Sequence, residues 1–569
     1  MAPVTFDLSQ VPYSRRGSYL CVSRLGNGGL FLRTVRGGLD HRQALSIALV
    51  RDGKVVPGEA TATPDGITLA GGGVKAELVL SGPARFRFRV EGGGLRLAVP
   101  EVKAGWKTVY ALPDAAGRWQ VNASPLESRY MLVPLRGTLA MDAPWARSAP
   151  DRVVADFVPV DGVAEGAVDE WFSTWVPGPE GGVRDARASV AAGFSKWLDG
   201  TLPGPPDLAD ARALTAYVNW SAIVGPSGHF RREAMLMSKN WMTNVWSWDH
   251  CFNAMALAAQ DPDLAWDQFM VMFDQQDAHG AIPDSLNDRT MAWTWCKPPI
   301  HGWTLLELMK QPALAEPKRL REAYGPLVAW TRWWLEHRDA DGDGACDYHH
   351  GNDSGWDNST VFDGGCPLEG ADLTAFLVIQ AKALAEVAGR LELDGEAIEW
   401  RRTSDRLMKI LLAHHWRADR FISPKSGDHA VADGDSLIGF LPLLLGPSLP
   451  AEVRRSLVAG VTEPGRFLTD WGCATESVRS RFYESNGYWR GPIWAPPMMM
   501  LCDGLDRSGE RATARDLAAR FCRTVAKSGA AENFDAKTGE GLCDRAYTWT
   551  ASVFLLLANR FLLPGRQAV

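Results

Sequence analysis

The sequence predicts two unlike domains: an antiparallel β-sandwich over residues 1–195 and, beyond a linker at 196–207, two concentric rings of α-helices over 208–565. Three observations carry this reading. The first part shows short runs in which apolar and polar residues alternate, the period of a half-buried strand. A Pro- and Gly-rich stretch, LDGTLPGPPDL from Leu198 to Leu208, interrupts the chain. Beyond it the apolar residues recur at helical spacing, some segments being apolar on one face and others almost all round.

In the first part, Phe86, Phe88 and Val90 alternate with Arg85, Arg87 and Arg89, which predicts a greasy face against a core and a charged face in water. Asp52-Gly53 sits between the apolar runs SIALV and KVV; both positions tolerate positive φ, so the pair marks a hairpin. Similar runs at Leu95–Val99 and Tyr130–Val133 are separated by turn residues. Past the linker, Asp207 is placed to cap a helix. Leu208, Ala211, Leu214 and Val218 share one helical face, as do Ala514, Leu517, Phe521 and Val525. About twelve helices are expected between Asp207 and Phe561. One-sided helices suit an outer layer, and those apolar all round, such as Trp549–Ala558, need cover on every side.

The composition narrows the function classes. A chain of 569 residues with 46% hydrophobic content fills at least one large core. The net charge of −7, with Lys and Arg scattered, gives no footprint for nucleic acid or an anionic membrane. No basic-then-apolar leader and no membrane-length apolar run is seen. Nine cysteines without a CxxC pair fit a reducing compartment, so a cytoplasmic monomer or small homo-oligomer is expected. The 24 tryptophans against 10 tyrosines are unusual. Indole faces match the C–H faces of pyranose rings, and the N–H can bond a hydroxyl, so those in polar, Gly-rich segments suggest a small carbohydrate ligand.

Three segments concentrate acids and tryptophans. In NVWSWDHCF, Trp246, Trp248 and Asp249 precede an apolar helix; Asp249 either caps that helix or bonds two vicinal sugar hydroxyls. In HHGNDSGWDNST, Asp353 and Asp357 flank Trp356. An apolar neighbour can keep a carboxyl protonated, as a general acid for glycosidic cleavage requires; an Asx-turn cluster is the alternative. In AENFDAKTGEG, Glu532 and Glu540 are candidate general bases. Upstream, GYWRGPIWAPP places Trp489, Arg490 and Trp494 around a Gly-Pro turn. Asp339, Asp341, Asp343 and Asp347 have calcium-loop spacing, but His350 stands where the loop's Glu is expected. A structural calcium and a plain acidic turn both fit. No catalytic metal motif, P-loop, GxGxxG or GxSxG is found, so no cofactor is expected to be required.

Together these segments resemble the glycoside hydrolase clan that contains trehalases, the processing α-glucosidases of family 63 and bacterial mannosylglycerate hydrolases. Bacterial family 63-like proteins match best, over about residues 205–565. The resemblance implies an (α/α)6 barrel packed with an N-terminal β-sandwich, and single-displacement hydrolysis with inversion. SGWDNS matches the motif that supplies the general acid, hence Asp357. AENFDAKTGEG matches ENYxPxTGEG, which supplies the general base, hence Glu532, with Phe534 and Ala536 where the family has Tyr and Pro. Trp248, Asp249, Asp284, Lys297, Trp489, Arg490 and Trp494 fall on motifs that line the glycone pocket. Trehalases carry Asn and Arg in segments where this chain has Asp284 and Trp295-Cys296-Lys297. The leading expectation is therefore an exo-acting α-glucosidase on a small glucoside or oligosaccharide. Mannosylglycerate or glucosylglycerate hydrolysis and trehalase are its alternatives, ahead of a phosphorylase, a lyase or a non-catalytic sugar-binding protein.

Overall fold

The computed structural model describes residues 4–26, 28–39, 42–100, 108–147, 149–179 and 181–563. Contacts divide the chain into two units. One comprises Met1–Gly200 with Ala216–Gly225 and Ser238–Thr243; the other comprises Thr201–Thr215, Pro226–Met237 and Asn244–Val569.

The first unit is built on two antiparallel sheets. One runs in the order Leu20–Leu25, Gly29–Thr34, Gln43–Arg51, Gly94–Ala98, Val154–Val158, Thr138–Asp142, with Lys54–Val56 added on Gln43–Arg51. The other runs Val109–Pro113, Trp119–Ala123, Ser128–Arg136, Val163–Trp171, Arg85–Glu91, Val74–Gly82, Gly66–Gly71, Glu59–Thr63. Leu32, Leu45, Ile47 and Leu97 from the first sheet and Leu78, Phe86, Phe88 and Val90 from the second form one buried core. Across it Phe88 meets Phe157 edge-on at 4.7 Å. The Asp52-Gly53 turn has φ of 50° and 75°, the left-handed pair that a two-residue hairpin requires.

Two expectations are corrected here. Arg85 and Arg87 are not in water: they are 8% and 5% exposed. Arg85 pairs with Asp169 at 3.3 Å, whose other contact is the Trp175 indole N–H at 2.9 Å. A second apolar cluster of Met131, Val133 and Ala167, with Trp171 and Trp175 against it, covers that side of the sheet. Secondly, residues 183–200 form an α-helix that runs through the start of the expected linker, and its buried residues are Val183, Val190, Phe194 and Trp197. Asp207 caps nothing of note; it lies inside a short 3₁₀ turn, Pro206–Leu208, that leads into the helix Ala209–Ala222.

The second unit is an (α/α)6 barrel. Six segments, Asp249–Leu257, His301–Leu308, Ala371–Arg390, Leu437–Ser448, Ala495–Arg507 and Thr548–Leu557, each touch the next, and the last touches the first. They are buried nearly all round. The leucine-rich segment winds as 3₁₀ turns broken at Gly446, where φ is 54°. Pro262–Met270, Pro317–His337, Asp394–Ile410, Ala451–Thr462 and Arg511–Ser528 pack outside this ring. They are amphipathic: Arg511–Ser528 buries Ala514, Leu517, Phe521 and Val525 on one face. Charged groups lock inner helices together. Arg507 bonds Glu307 at 2.9 Å and Asp503 at 2.8 Å, and the Trp303 indole donates to Asp503 at 2.9 Å. No helix among the described residues is long and apolar enough to cross a membrane.

Candidate active site

The segments that lead into inner helices carry the functional candidates. Short ladders stiffen these loops: Val245–Trp246 with Ser285–Leu286 and Met291–Ala292; Asp347–Tyr348 with Leu368–Glu369; and Ile493–Trp494 with Asn533–Phe534 and Gly541–Leu542. Irregular loops alone would hold acids poorly in place; here each acid is within a few residues of a paired strand or a helix start.

Asp249 opens the helix Asp249–Leu257, but the cap position belongs to Trp248. The Asp249 carboxyl is 3% exposed, and its Oδ2 has no hydrogen-bond partner in the protein. Burial pushes its pKa well up, Lys297 opposes the shift, and the charges of Asp284 and Asp357 add to it. Lys297 Nζ lies 3.0 Å from Asp284 Oδ1 and donates to the Asn352 carbonyl at 2.5 Å. Burial works against the Lys297 charge, but Asp284, Asp357 and Asp249 outweigh it and hold the pKa above the usual lysine value. Asp284 itself is raised by burial despite Lys297. One buried ammonium thus pairs with Asp284 and feels the charges of Asp357 and Asp249, an excess of carboxyl oxygens suited to polar hydroxyls.

The two acids of HHGNDSGWDNST separate by environment. Asp353 is saturated: Oδ1 accepts from Cys296 N–H at 3.1 Å, and Oδ2 from His349 N–H at 2.9 Å and Arg338 at 2.8 Å. It braces the loop. Asp357 is only half buried, and its charge is felt at Asp249, Asp284, Lys297, Tyr488 and Glu532. The glycines of this segment are required by close packing. A Cβ on Gly351 would lie 2.0 Å from the Asp357 carbonyl oxygen, and one on Gly355, at φ 71°, would lie 2.4 Å from the Trp248 ring.

Glu532 is 2% exposed. Its Oε1 accepts from the Tyr488 hydroxyl at 2.9 Å and its Oε2 from Asp544 N–H at 3.3 Å. Burial, only partly offset by Tyr488, lifts its pKa to about 7. Glu540 is exposed, as a loop acid. Phe534, one departure from the family motif, points into the core and meets Phe521 edge-on at 5.9 Å.

One segment supports both acids. Asn358, next to Asp357, donates to the Gly487 carbonyl at 3.0 Å and accepts from Trp489 N–H at 2.9 Å. Arg490 Nε donates to the Asn358 carbonyl at 2.8 Å, while its guanidinium forks onto Asp363. Between them, Tyr488 (φ 62°) holds Glu532. The sequence reading singled out neither Tyr488 nor Asn358, although each adjoins a residue it did select.

Four of the selected tryptophans pack on one another. Trp248, Trp356, Trp489 and Trp494 are each 1–2% exposed. Trp489 stacks on Trp494 at 3.9 Å and lies 4.8 Å from Trp356 and 6.4 Å from Trp248. Trp549, not among the expected site residues, closes the cluster 5.5 Å from Trp494 and 5.8 Å from Trp248. They form an apolar bed behind the acids; Trp246 alone of the selected tryptophans is partly exposed. The calcium-spaced loop uses its carboxylates on its own backbone: Asp339 accepts from Gly342 and Gly344 N–H, and Asp347 from Ala340 N–H. His/Cys/Asp/Glu groups able to hold a metal ion do occur, at His250–Cys251–His301, at Asp343–Glu369–His414–His429 and at Asp339–Asp341–Asp343.

Residues 242–550 match the model of the mannosylglycerate hydrolase MGH1-like glycoside hydrolase domain, slightly more than half of the chain. The chain belongs to this glycoside hydrolase family. The hydrolase is 24% identical over 390 residues to mannosylglycerate hydrolase MGH2 of Selaginella moellendorffii, covering 54% of this chain and 79% of that protein. It is 23% identical over 407 residues to a glucosylglycerate hydrolase of Mycolicibacterium hassiacum, covering 55% and 91%. Its fold matches the crystal structure of the family 63 mannosylglycerate hydrolase of Thermus thermophilus in complex with glucose, with TM-score 0.54, 22% identity and coverage of 61% and 99%.

Proposed function

We propose that the enzyme is an inverting, exo-acting α-glycosidase in which Asp357 is the general acid and Glu532 the general base. The substrate we assign is an α-hexosyl glycerate, mannosyl- or glucosylglycerate. The expectation of a general α-glucosidase gives way here, because curated relatives that align with over half of this chain include proteins named for those two glycerate glycosides. The observation that carries the acid–base assignment is the contrast between the two carboxyls: Glu532 is buried, held by Tyr488 and poised near neutrality, whereas Asp357 stands half open on a separate loop.

In this reading Asp249, Asp284 and Lys297 bind hydroxyls of the glycone. The Asp357 proton passes to the glycosidic oxygen as the C–O bond breaks. Glu532 takes a proton from a water that attacks the anomeric carbon from the opposite face, so one proton is delivered and one removed per turnover. Such a pair stands about 6.5–9.5 Å apart to admit that water, whereas a retaining pair stands at about 5–5.5 Å. The Trp248, Trp356, Trp489 and Trp494 cluster excludes solvent behind the acids and fixes the loops that bear them.

The test is NMR of the first product before mutarotation, with mannosylglycerate, glucosylglycerate, trehalose and an aryl α-glucoside in parallel and phosphate absent. Early β-anomer with a glycerate glycoside supports the reading. Early α-anomer refutes the single displacement, and turnover confined to the aryl glucoside or trehalose refutes the substrate class.

A further inference from the structure

Away from the acids just described, four side chains from four stretches of the barrel unit converge. Asp343 lies in the loop after Pro317–His337 and Glu369 on the strand Leu368–Glu369. His414 lies in the π-turn Leu411–His415 at the end of the helix Asp394–Ile410, and His429 in the loop that follows. One potential ligand atom from each lies within 4.8 Å of all the others. His414 Nε2 bonds Glu369 Oε2, and His414 Nδ1 is 3.7 Å from Asp343 Oδ2. His429 Nε2 is 3.6 Å from Glu369 Oε1 and 3.8 Å from Asp343 Oδ2. Glu369 is wholly buried, yet its Oε1, directed at His429, has no hydrogen-bond partner. A buried carboxylate oxygen left unsatisfied is costly, and a cation among these four groups would satisfy it.

We propose that Asp343, Glu369, His414 and His429 form a binding site for one divalent transition-metal ion of the zinc class. Zinc bonds N and O ligands at about 2.0–2.2 Å, which in a tetrahedron sets ligand atoms roughly 3.3–3.6 Å apart; His429 Nε2 stands 3.6 Å from Glu369 Oε1 and 3.8 Å from Asp343 Oδ2, near that spacing, and the His414 Nε2–Glu369 hydrogen bond gives way to the ion. Two imidazoles select such an ion over calcium, which takes six to eight oxygens. The oxygens of Asp339 are engaged by backbone N–H groups; those of Asp341 accept from Asp343 and Gly427 N–H, and its Oδ2 also lies 3.2 Å from His429 Nε2, a contact that the ion replaces. Asp343 Oδ1 accepts from Ala345 N–H, and its Oδ2 turns towards the histidines. The ion has an entry path, since the side chains of His429 and Asp343 are 45% and 29% exposed. Its place in the fold is the stem of the acid loop: Asp347–Tyr348 pairs with Leu368–Glu369, and the chain runs on from Tyr348 to Asp357. A bound ion ties that stem to the end of the neighbouring helix.

The full-length enzyme, dialysed against a chelator, is titrated with Zn²⁺, Co²⁺ and Ca²⁺ by calorimetry, elemental analysis and visible absorption. The expected result is one Zn²⁺ or Co²⁺ per chain, d–d bands for cobalt and a raised Tm. The double variant His414→Gln, His429→Gln loses affinity by about 100-fold or more. His429→Gln alone, at an exposed position, serves if the double variant fails to fold, and exposed His337→Gln leaves binding unchanged. The proposal is overturned if the wild type binds no transition metal beyond the level of the variants. It is equally overturned if Ca²⁺ binds more tightly than Zn²⁺ and the histidine changes leave metal binding unaltered.

Discussion

Replacing Tyr488 with Phe removes a single hydroxyl that donates to Glu532 Oε1 at 2.9 Å, while the ring keeps its edge-on contact with Trp494 at 4.7 Å. That hydroxyl favours the carboxylate over the acid and opposes the burial that lifts Glu532 to about 7. A hydrogen bond to a charged group contributes about 1.5–3 kcal/mol, and a pKa unit corresponds to about 1.4 kcal/mol. Losing it raises Glu532 by about 1–2 units. The base must be ionised to act, so the acidic limb of kcat/KM moves from near 7 to about 8–9. At about pH 6 the variant is expected to be roughly 10- to 100-fold slower than wild type, and the ratio closes as pH rises past the new limb. The assay is the pH profile of kcat/KM for both proteins on one glycoside. A deficit that stays constant with pH would refute the base assignment and reduce Tyr488 to a packing residue.

Three further outcomes follow from the same site. Asp357→Asn should fail on substrates with poor leaving groups but retain turnover of glycosyl fluorides, which need little protonation, whereas Glu532→Gln should fail on both; equal sensitivity in a fluoride assay would contradict the assignment. Asp249→Asn should lower kcat/KM by at least about 10-fold, because the amide puts an N–H₂ donor where a second sugar hydroxyl needs an acceptor, with Tm unchanged or higher, whereas a helix-cap role would lower Tm and spare turnover. Glu532 has a folded pKa of about 7 against 4.5 unfolded. Its contribution to stability is full below about pH 4.5 and is lost as pH rises through about 7. Glu532→Gln should therefore be more stable than wild type above neutrality by a few kcal/mol, in order of magnitude, and not at about pH 4, as denaturant titrations at the two pH values would reveal.

The barrel was legible because burial leaves a pattern: helices covered on all sides and helices covered on one read differently along the chain. Asp357, Glu532 and Asp249 stand out in the sequence because they are acids in Gly- and Trp-rich loops, and the structure adds that Asp249 and Glu532 are buried; their roles remain those proposed above. Tyr488 was not, since a tyrosine beside a tryptophan carries no mark of the carboxylate it holds; only the fold brings 488 to 532. The arginines of the strand Arg85–Glu91 read as solvated because alternation reports which face is polar, and not what lies over that face; the cover comes from Trp171 and Trp175, over eighty residues later. The helix Val183–Gly200 had a signal in the spacing of Val183, Val190, Phe194 and Trp197, but weak overall hydropathy hid it beside a linker rich in Pro and Gly. The tryptophans were read as sugar platforms from chemistry that is equally good at packing, and four of them pack on one another.

The strut formed by residues 487–494 has a consequence for how this enzyme can change. Asn358 ties the acid loop to Gly487, Trp489 and Arg490, Tyr488 holds the base, and Ile493–Trp494 is in register with Asn533–Phe534. On the proposed assignment, the distance between proton donor and proton acceptor is thereby written into one short piece of backbone. Asp249, Asp284 and Lys297, to which the proposed mechanism gives the glycone, hang on other loops. Selection for a new sugar or aglycone can rework those loops without altering the gap that a water must enter, so the stereochemical outcome is inherited while the substrate is free to drift.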